Sequence, residues 1–218
     1  MALALTEDRK LVATGQVGLE PMIFVWDAET AERVDLMTLP KGCRSVSALA
    51  FSPDGRYVAA ADMSDDHAIH VFDREAAKDK KGKCPKLFTQ KSDRQKVFMI
   101  RWKPTGTEFA SAGVKHMCFW TMTAQDLKSK KGALSSIKTA PGKSIGFSSV
   151  AWSKKLSAFL AGGSDGILYA WTGTNPKALF NKQSAHKKMI SCLNVCEHED
   201  DGSELVITGS ADKTVKIY

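Results

Sequence analysis

Cys192, Cys196 and His198 alternate along one apolar stretch, so in an extended strand they share a face. Thiols and imidazole are zinc donors, but zinc needs convergent ligands, and residues four apart on a strand stand about 13 Å apart. The two cysteines therefore read as core residues. GGSDG at 162–166 offers glycines for a phosphate cradle. It falls where a hairpin turn is expected, however, with no helix after it and no Gly-Lys-Ser/Thr in the spacing a nucleotide loop requires. Asp65 and Asp66 sit in a turn, where carboxylates are solvated turn-formers. No nucleophile, base and acid come together. The chain is expected to be non-enzymatic, with no catalytic residue, metal or cofactor.

The elements that would hold such residues repeat. VATGQVGLEPMIFVWD closes on Trp26, and the same frame closes on Phe72, Trp120, Trp171 and Tyr218, in steps of 46, 48, 51 and 47 residues. Upstream of each closing aromatic lie two alternating apolar runs joined by a turn, as in VSALAFSPDGRYVAAAD. A period of two with a turn between is the pattern of a hairpin. A polar connection and one short strand follow, for example PKLFTQ after Phe72. Strand, turn and closing aromatic recur in one order, which is the signature of a four-stranded WD-type repeat. The expected fold is all-β: a partial WD-repeat β-propeller of about four and a half blades over residues 1–218, with five inner hairpins and four outer strands.

In such blades a His, a Ser or Thr, an Asp and the closing aromatic form a hydrogen-bonded tetrad, stabilising when every buried member is satisfied. Only the last repeat offers the full set: His186, Thr208, Asp212 and Tyr218. The other closing residues, Trp26, Phe72, Trp120 and Trp171, are structural by the same frame.

Composition narrows the partners. The chain is 43% hydrophobic and 25% charged, as globular proteins are, and no apolar run approaches the roughly 20 residues that cross a bilayer. MALALTEDRK lacks the basic start and apolar core of a secretory signal, and five scattered cysteines suggest free thiols in a reducing compartment. The expectation is a cytoplasmic protein without a membrane. A net charge of +7 favours acidic partners.

VATGQVGLEPMIFVWDAET resembles the ATGQ…P-x-I-x-V-W-D-x-x-T stretch of the echinoderm microtubule-associated protein-like family. SAGVKHMCFWT (111–121) is similar to that family's C-G-x-K-H-x-x-F-W-T stretch, and LAGGSDGILYAWTG continues the order. The resemblance covers essentially the whole chain. It implies the first of two tandem propellers and a cytoskeletal role, with tubulin or microtubules as partners.

Two basic runs fit that role. KDKKGKCPK (78–86) and KSKKGA (128–133) are both expected in the connection from the closing strand to the outermost strand of their repeats. Equivalent loops project from one face, so Lys78, Lys80, Lys81, Lys83, Lys128, Lys130 and Lys131 are expected to form one positive rim for a flexible polyanion such as an acidic tubulin tail. A second group, Lys91, Arg94 and Lys96 with His186, Lys187 and Lys188, is expected on the opposite face. Sequence-specific nucleic-acid binding is not expected, because the lysine runs hold no aromatics for stacking. The alternative is a general adaptor that binds peptides or partner proteins across the other face, without microtubule contact.

Overall fold

The computed structural model describes residues 2–92, 94–137, 144–179, 186–198 and 201–218. Its strands form five sheets. The first holds β1 (Ala2–Leu5), β2 (Leu11–Gly15), β3 (Met22–Asp27) and β4 (Arg33–Thr38). The second holds β5 (Val46–Phe51), β6 (Tyr57–Asp62), β7 (Ile69–Asp73) and β8 (Lys86–Gln90). The third holds β9 (Val97–Trp102), β10 (Glu108–Gly113), β11 (His116–Met122) and β12 (Leu127–Lys131). The fourth holds β13 (Phe147–Ser153), β14 (Ala158–Gly163), β15 (Leu168–Thr172) and β16 (Asn175–Ala178). The fifth holds β17 (Ile190–Glu197), β18 (Glu204–Ser210) and β19 (Val215–Ile217).

Within every sheet, strands adjacent in sequence are adjacent in space. Four sheets of four and one of three match the repeat count. The Pro-Asp-Gly turn of the second repeat shows how the sequence builds each hairpin. Gly55 takes φ +72°, and its amide donates to the Ser52 carbonyl at 2.8 Å. A residue with a Cβ is disfavoured in that left-handed conformation. Three of the repeats share an irregularity. The first hairpin shifts register between Val46 and Ala48, between Phe147 and Ser149, and between Ile190 and Cys192. Such bulges bend a strand and sharpen its twist.

The chain divides into two compact units. One runs to Phe109 and includes Trp120–Ser129; the other comprises Ala110–Phe119 and Lys130–Tyr218. The core of the first is built by Ile23, Val25, Met37, Val46, Val58 and Phe72. That of the second includes Leu160, Leu168, Ile190 and Leu193. Each such side chain, fully buried, contributes about 1.5–3 kcal/mol. Among the described residues no helix is long and apolar enough to cross a membrane.

Candidate protein-interaction surface

The first lysine run lies in the β7–β8 connection, as its place in the repeat requires, and it is folded rather than trailing. Asp79 organises it, accepting from the amides of Lys81 at 2.8 Å and Lys83 at 2.9 Å, while Gly82 turns the chain at φ +74°. The amide of Lys83 chiefly, then burial against it and the amide of Lys81, set the Asp79 carboxyl, with a net lowering of its pKa. The far side of the run is stitched to the first sheet. Leu36 and Lys83 form a parallel bridge, and the Cys84 amide donates to the Leu36 carbonyl at 2.8 Å. Lys78 is committed: its Nζ lies 2.5 Å from Asp35 Oδ1 and 3.1 Å from the Val34 carbonyl. Arg74 Nε donates to the other oxygen of Asp35 at 2.6 Å. Burial acts to raise the Asp35 carboxyl, but the bonds from Lys78 and Arg74 outweigh it, and its pKa is lowered. Lys80 and Lys81 stand exposed at the tip, and Lys83 is half-buried.

The second run is placed differently from expectation. Lys128, Lys130 and Lys131 are not in a connection; they lie on β12, the last strand of its sheet. KSKK extends because its backbone pairs with β11, and alternation along a strand then sends Lys128 and Lys130 to one face and Lys131 to the other. Charged side chains on an edge strand also prevent another strand from pairing there. The neighbouring edges carry similar devices: Lys86 on β8, and Pro176 with Lys177 on β16. In the second basic group Lys91 pairs with Asp66 at 2.9 Å, and the Lys187 amide donates to Asp212.

The tetrad residues come together in the fifth sheet. His186 Nε2 lies 2.8 Å from Thr208 Oγ1 and its Nδ1 3.2 Å from Asp212 Oδ2, while Tyr218 bonds Thr208. Thr214 is a fifth member, 2.9 Å from His186 Nδ1. Other sheets keep fragments of the set. Trp26 Nε1 donates to Thr14 Oγ1 at 2.8 Å, because Thr14 holds in the first sheet the register position of Thr208. In the fourth sheet that position is Ala161, and the buried Trp171 Nε1 has no partner among the described residues. Two histidine nodes escaped the sequence reading. Ser111 Oγ lies 2.8 Å from His116 Nε2, and His70 Nε2 lies 2.8 Å from Asp62 Oδ2, both buried. A signal existed: His70 and His116 both fall on a third strand near the closing aromatic.

The segments quoted from the sequence have structural explanations. Ala13 is fully buried, Thr14 holds Trp26, Gly15 lies against Val46, and Gln16 accepts from the Met22 amide with its side chain. In the VKH…FWT segment, Lys115 turns the chain at φ +48° and Trp120 stacks on Phe109 with ring centroids 5.9 Å apart. The expected core cysteines are corrected: Cys192 is exposed and Cys196 half-buried, on the more open face of β17. Cys43, Cys84 and Cys118 are the buried ones. At the first strands of their sheets, β1, β5 and β9 border a second feature, a cleft of about 430 Å³ lined by Leu3, Leu5, Phe98 and Arg101 among others.

A family model described as the echinoderm microtubule-associated protein first β-propeller matches residues 1–218. The ciliary WD repeat-containing protein ctxp80 of Euplotoides octocarinatus is 30% identical over 99% of this chain and 30% of its own length. Human echinoderm microtubule-associated protein-like 1 is 29% identical over 97% of this chain and 25% of its own. The 77 kDa echinoderm microtubule-associated protein of Strongylocentrotus purpuratus is 27% identical over all of this chain and 31% of its own. The chain thus spans between a quarter and a third of these relatives. Among solved structures, the Cps50 (Swd1) β-propeller domain of Myceliophteria thermophila superposes with a TM-score of 0.71 at 14% identity, covering 99% of this chain and 65% of that one. Sheet topology, repeat frame and family match agree: the fold is a WD-type β-propeller, and the chain belongs to the echinoderm microtubule-associated protein first β-propeller family.

Proposed function

We propose that this chain is a non-enzymatic, cytoplasmic interaction scaffold that associates with tubulin or microtubules through its lysines. The contact residues are Lys80, Lys81 and Lys83 of the β7–β8 connection, with Lys78 at its root, and Lys128, Lys130 and Lys131 of β12. The observation that carries this reading is the built lysine tip, whose backbone is fixed by Asp79 and by the bridge to Leu36 while Lys80 and Lys81 stand in solvent. Ammonium groups presented from an ordered loop lose less entropy on meeting a polyanion than those of a mobile tail. Relatives named for microtubule association support the choice of polyanion. Such a contact is steered by charge and weakens with salt.

The test is co-pelleting of the chain with microtubules, intact and with their acidic tails removed, at two salt concentrations. Tail-dependent, salt-sensitive pelleting that disappears in a Lys80→Glu, Lys81→Glu, Lys130→Glu, Lys131→Glu variant is the expected result. Unchanged pelleting of that variant sinks the lysine contact.

A second reading has its own observation. The β1–β5–β9 cleft exposes Leu3, Leu5 and Phe98 to 60%, 53% and 42%. Apolar side chains in a cleft with an arginine suit an extended peptide, the task of a general adaptor. Partner capture that is lost with Leu5→Asp yet indifferent to the lysine variant supports that reading.

A further inference from the structure

Cys43, Asp62 and His70 come from three separate stretches: the turn ahead of β5, the end of β6 and the second position of β7. Cys43 Sγ lies 3.1 Å from Asp62 Oδ2, and His70 Nε2 lies 2.8 Å from the same oxygen. The three donor atoms all fall within 4.8 Å of one another. Their residues are 3%, 1% and 1% exposed. The repeat frame does not demand this chemistry, because the register position of Asp62 is Gly163 in the fourth sheet and Ser210 in the fifth. A buried carboxylate beside a thiol and an imidazole is costly to assemble without a use.

Each donor is also aimed from behind. Asp62 Oδ1 accepts from the Ser64 amide at 3.0 Å, the Ser64 hydroxyl at 2.7 Å and the Ala68 amide at 3.0 Å, which leaves Oδ2 directed at the cluster. His70 Nδ1 lies 3.0 Å from Thr89 Oγ1 on β8, which leaves Nε2 directed at the same point. Hydrogen bonds to the far atoms of carboxylate and imidazole are how proteins fix metal ligands.

We propose that Cys43, Asp62 and His70 form a zinc-binding site inside the second sheet. Thiolate, imidazole and carboxylate are the donor set of a borderline cation. One thiolate and one carboxylate around a divalent ion with neutral imidazole leave the buried site with no net charge. Bonds of about 2.0 Å to nitrogen and oxygen and about 2.3 Å to sulfur put tetrahedral neighbours roughly 3.3–3.5 Å apart. Sγ and Nε2 then each retreat from Oδ2 by about half an ångström. The proton balance is definite. The Cys43 thiol proton leaves to solvent, and the imidazole proton moves from Nε2 to Nδ1, where Thr89 Oγ1 accepts it once its hydroxyl turns. One proton is therefore released per ion. Among the described residues the cluster numbers three, so a water entering with the ion takes the fourth position. Such enclosure admits no sizeable substrate, and the ion's role is to clamp the turn ahead of β5 to β6 and β7.

The experiment uses the whole chain with the more exposed thiols removed (Cys192→Ser, Cys196→Ser), stripped by chelator and titrated with zinc alone against a chromophoric competitor. Calorimetry in two buffers of different ionisation heat counts the proton. One ion and about one proton per chain are expected, with a melting temperature that rises on zinc addition and falls back on chelation. Thr89→Val, which removes the partner of His70 Nδ1 but none of the three ligands, should weaken zinc roughly tenfold, and His70→Gln should abolish uptake. Should His70→Gln fail to fold, cadmium on the folded parent decides, through the ultraviolet charge-transfer band of a thiolate–metal bond. No uptake, or uptake without that band, overturns the proposal and leaves the cluster a hydrogen-bonded node.

Discussion

A Cβ atom built on Gly15 would lie 2.5 Å from the Cβ of Val46, and one built on Gly162 would lie 2.6 Å from Cγ2 of Ile190. Val46 and Ile190 are equivalent: each opens its sheet and pairs with the last residue of the second strand. The same close approach thus joins the first sheet to the second and the fourth to the fifth. Gly15→Ala must push a β-branched, fully buried side chain aside, at a cost of about 1–3 kcal/mol. A urea titration reads this as a lowered midpoint at unchanged slope. Gly162→Ala should behave alike.

Lys78 and Lys80, two residues apart, have opposite duties. Arg74→Ala strips the buried Asp35 of its more buried partner and should cost about 2 kcal/mol. Lys78→Ala, from a more exposed pair, should cost about 0.5–1 kcal/mol. Lys80→Ala should stay within about 0.5 kcal/mol of the parent. Urea midpoints for the three rank them. Inverting that order would undo the account of the lysine loop.

Thiol chemistry should separate the cysteines. Burial first, then the bond to Asp62, pushes the Cys43 thiol up to about 12; burial and the nearby Asp35 charge push Cys84 up to about 11. Reactivity belongs to the thiolate. Alkylation of the native chain at neutral pH should therefore mark Cys192 first and leave Cys43 and Cys84 until unfolding. Mass spectrometry of digests reports the order, and early labelling of Cys43 would contradict its enclosure.

Acid should unfold the first unit through particular carboxylates. Burial acts to raise Asp62, but bonds from His70 and Ser64 prevail and its pKa is lowered. The Arg56 bond lowers Asp73 directly. A carboxylate depressed in the folded state stabilises fully above its unfolded value of about 3.9, and that stability is lost as pH falls through the folded value. Without metal, the melting temperature should hold between neutrality and about pH 5 and drop below about pH 4. Asp62→Asn should flatten the acid limb from a lower plateau. An unchanged acid limb would remove Asp62 from the explanation.

Strand order and repeat length were legible because a closing aromatic and a period of two are local properties of the chain. Trp26, Phe72, Trp120 and Trp171 occupy equivalent third-strand positions, and Tyr218 follows the third strand of the last sheet. The tetrad of His186, Thr208, Asp212 and Tyr218 could be found because its spacing is that of the repeat. The cluster of Cys43, Asp62 and His70 could not, since its members belong to no common spacing and meet only when three strands pair. The β12 lysines were misplaced for a related reason. Lys-Ser-Lys-Lys looks like a connection until an edge strand's need for charge is considered. Cys192 and Cys196 misled because alternation fixes which residues share a face without fixing what covers that face.

The parallel bridge between Leu36 and Lys83 has a consequence for how the first two sheets come apart. They are latched at one margin by this bridge and by Asp35, and at the other by the Val46 amide donating to the Gln16 carbonyl at 3.0 Å. Neither sheet can open alone without breaking both latches. Amide hydrogens of β3 and β6 should exchange through one shared opening, with equal free energies and equal dependence on denaturant. What the sequence writes as two repeats would then melt as a single cooperative block.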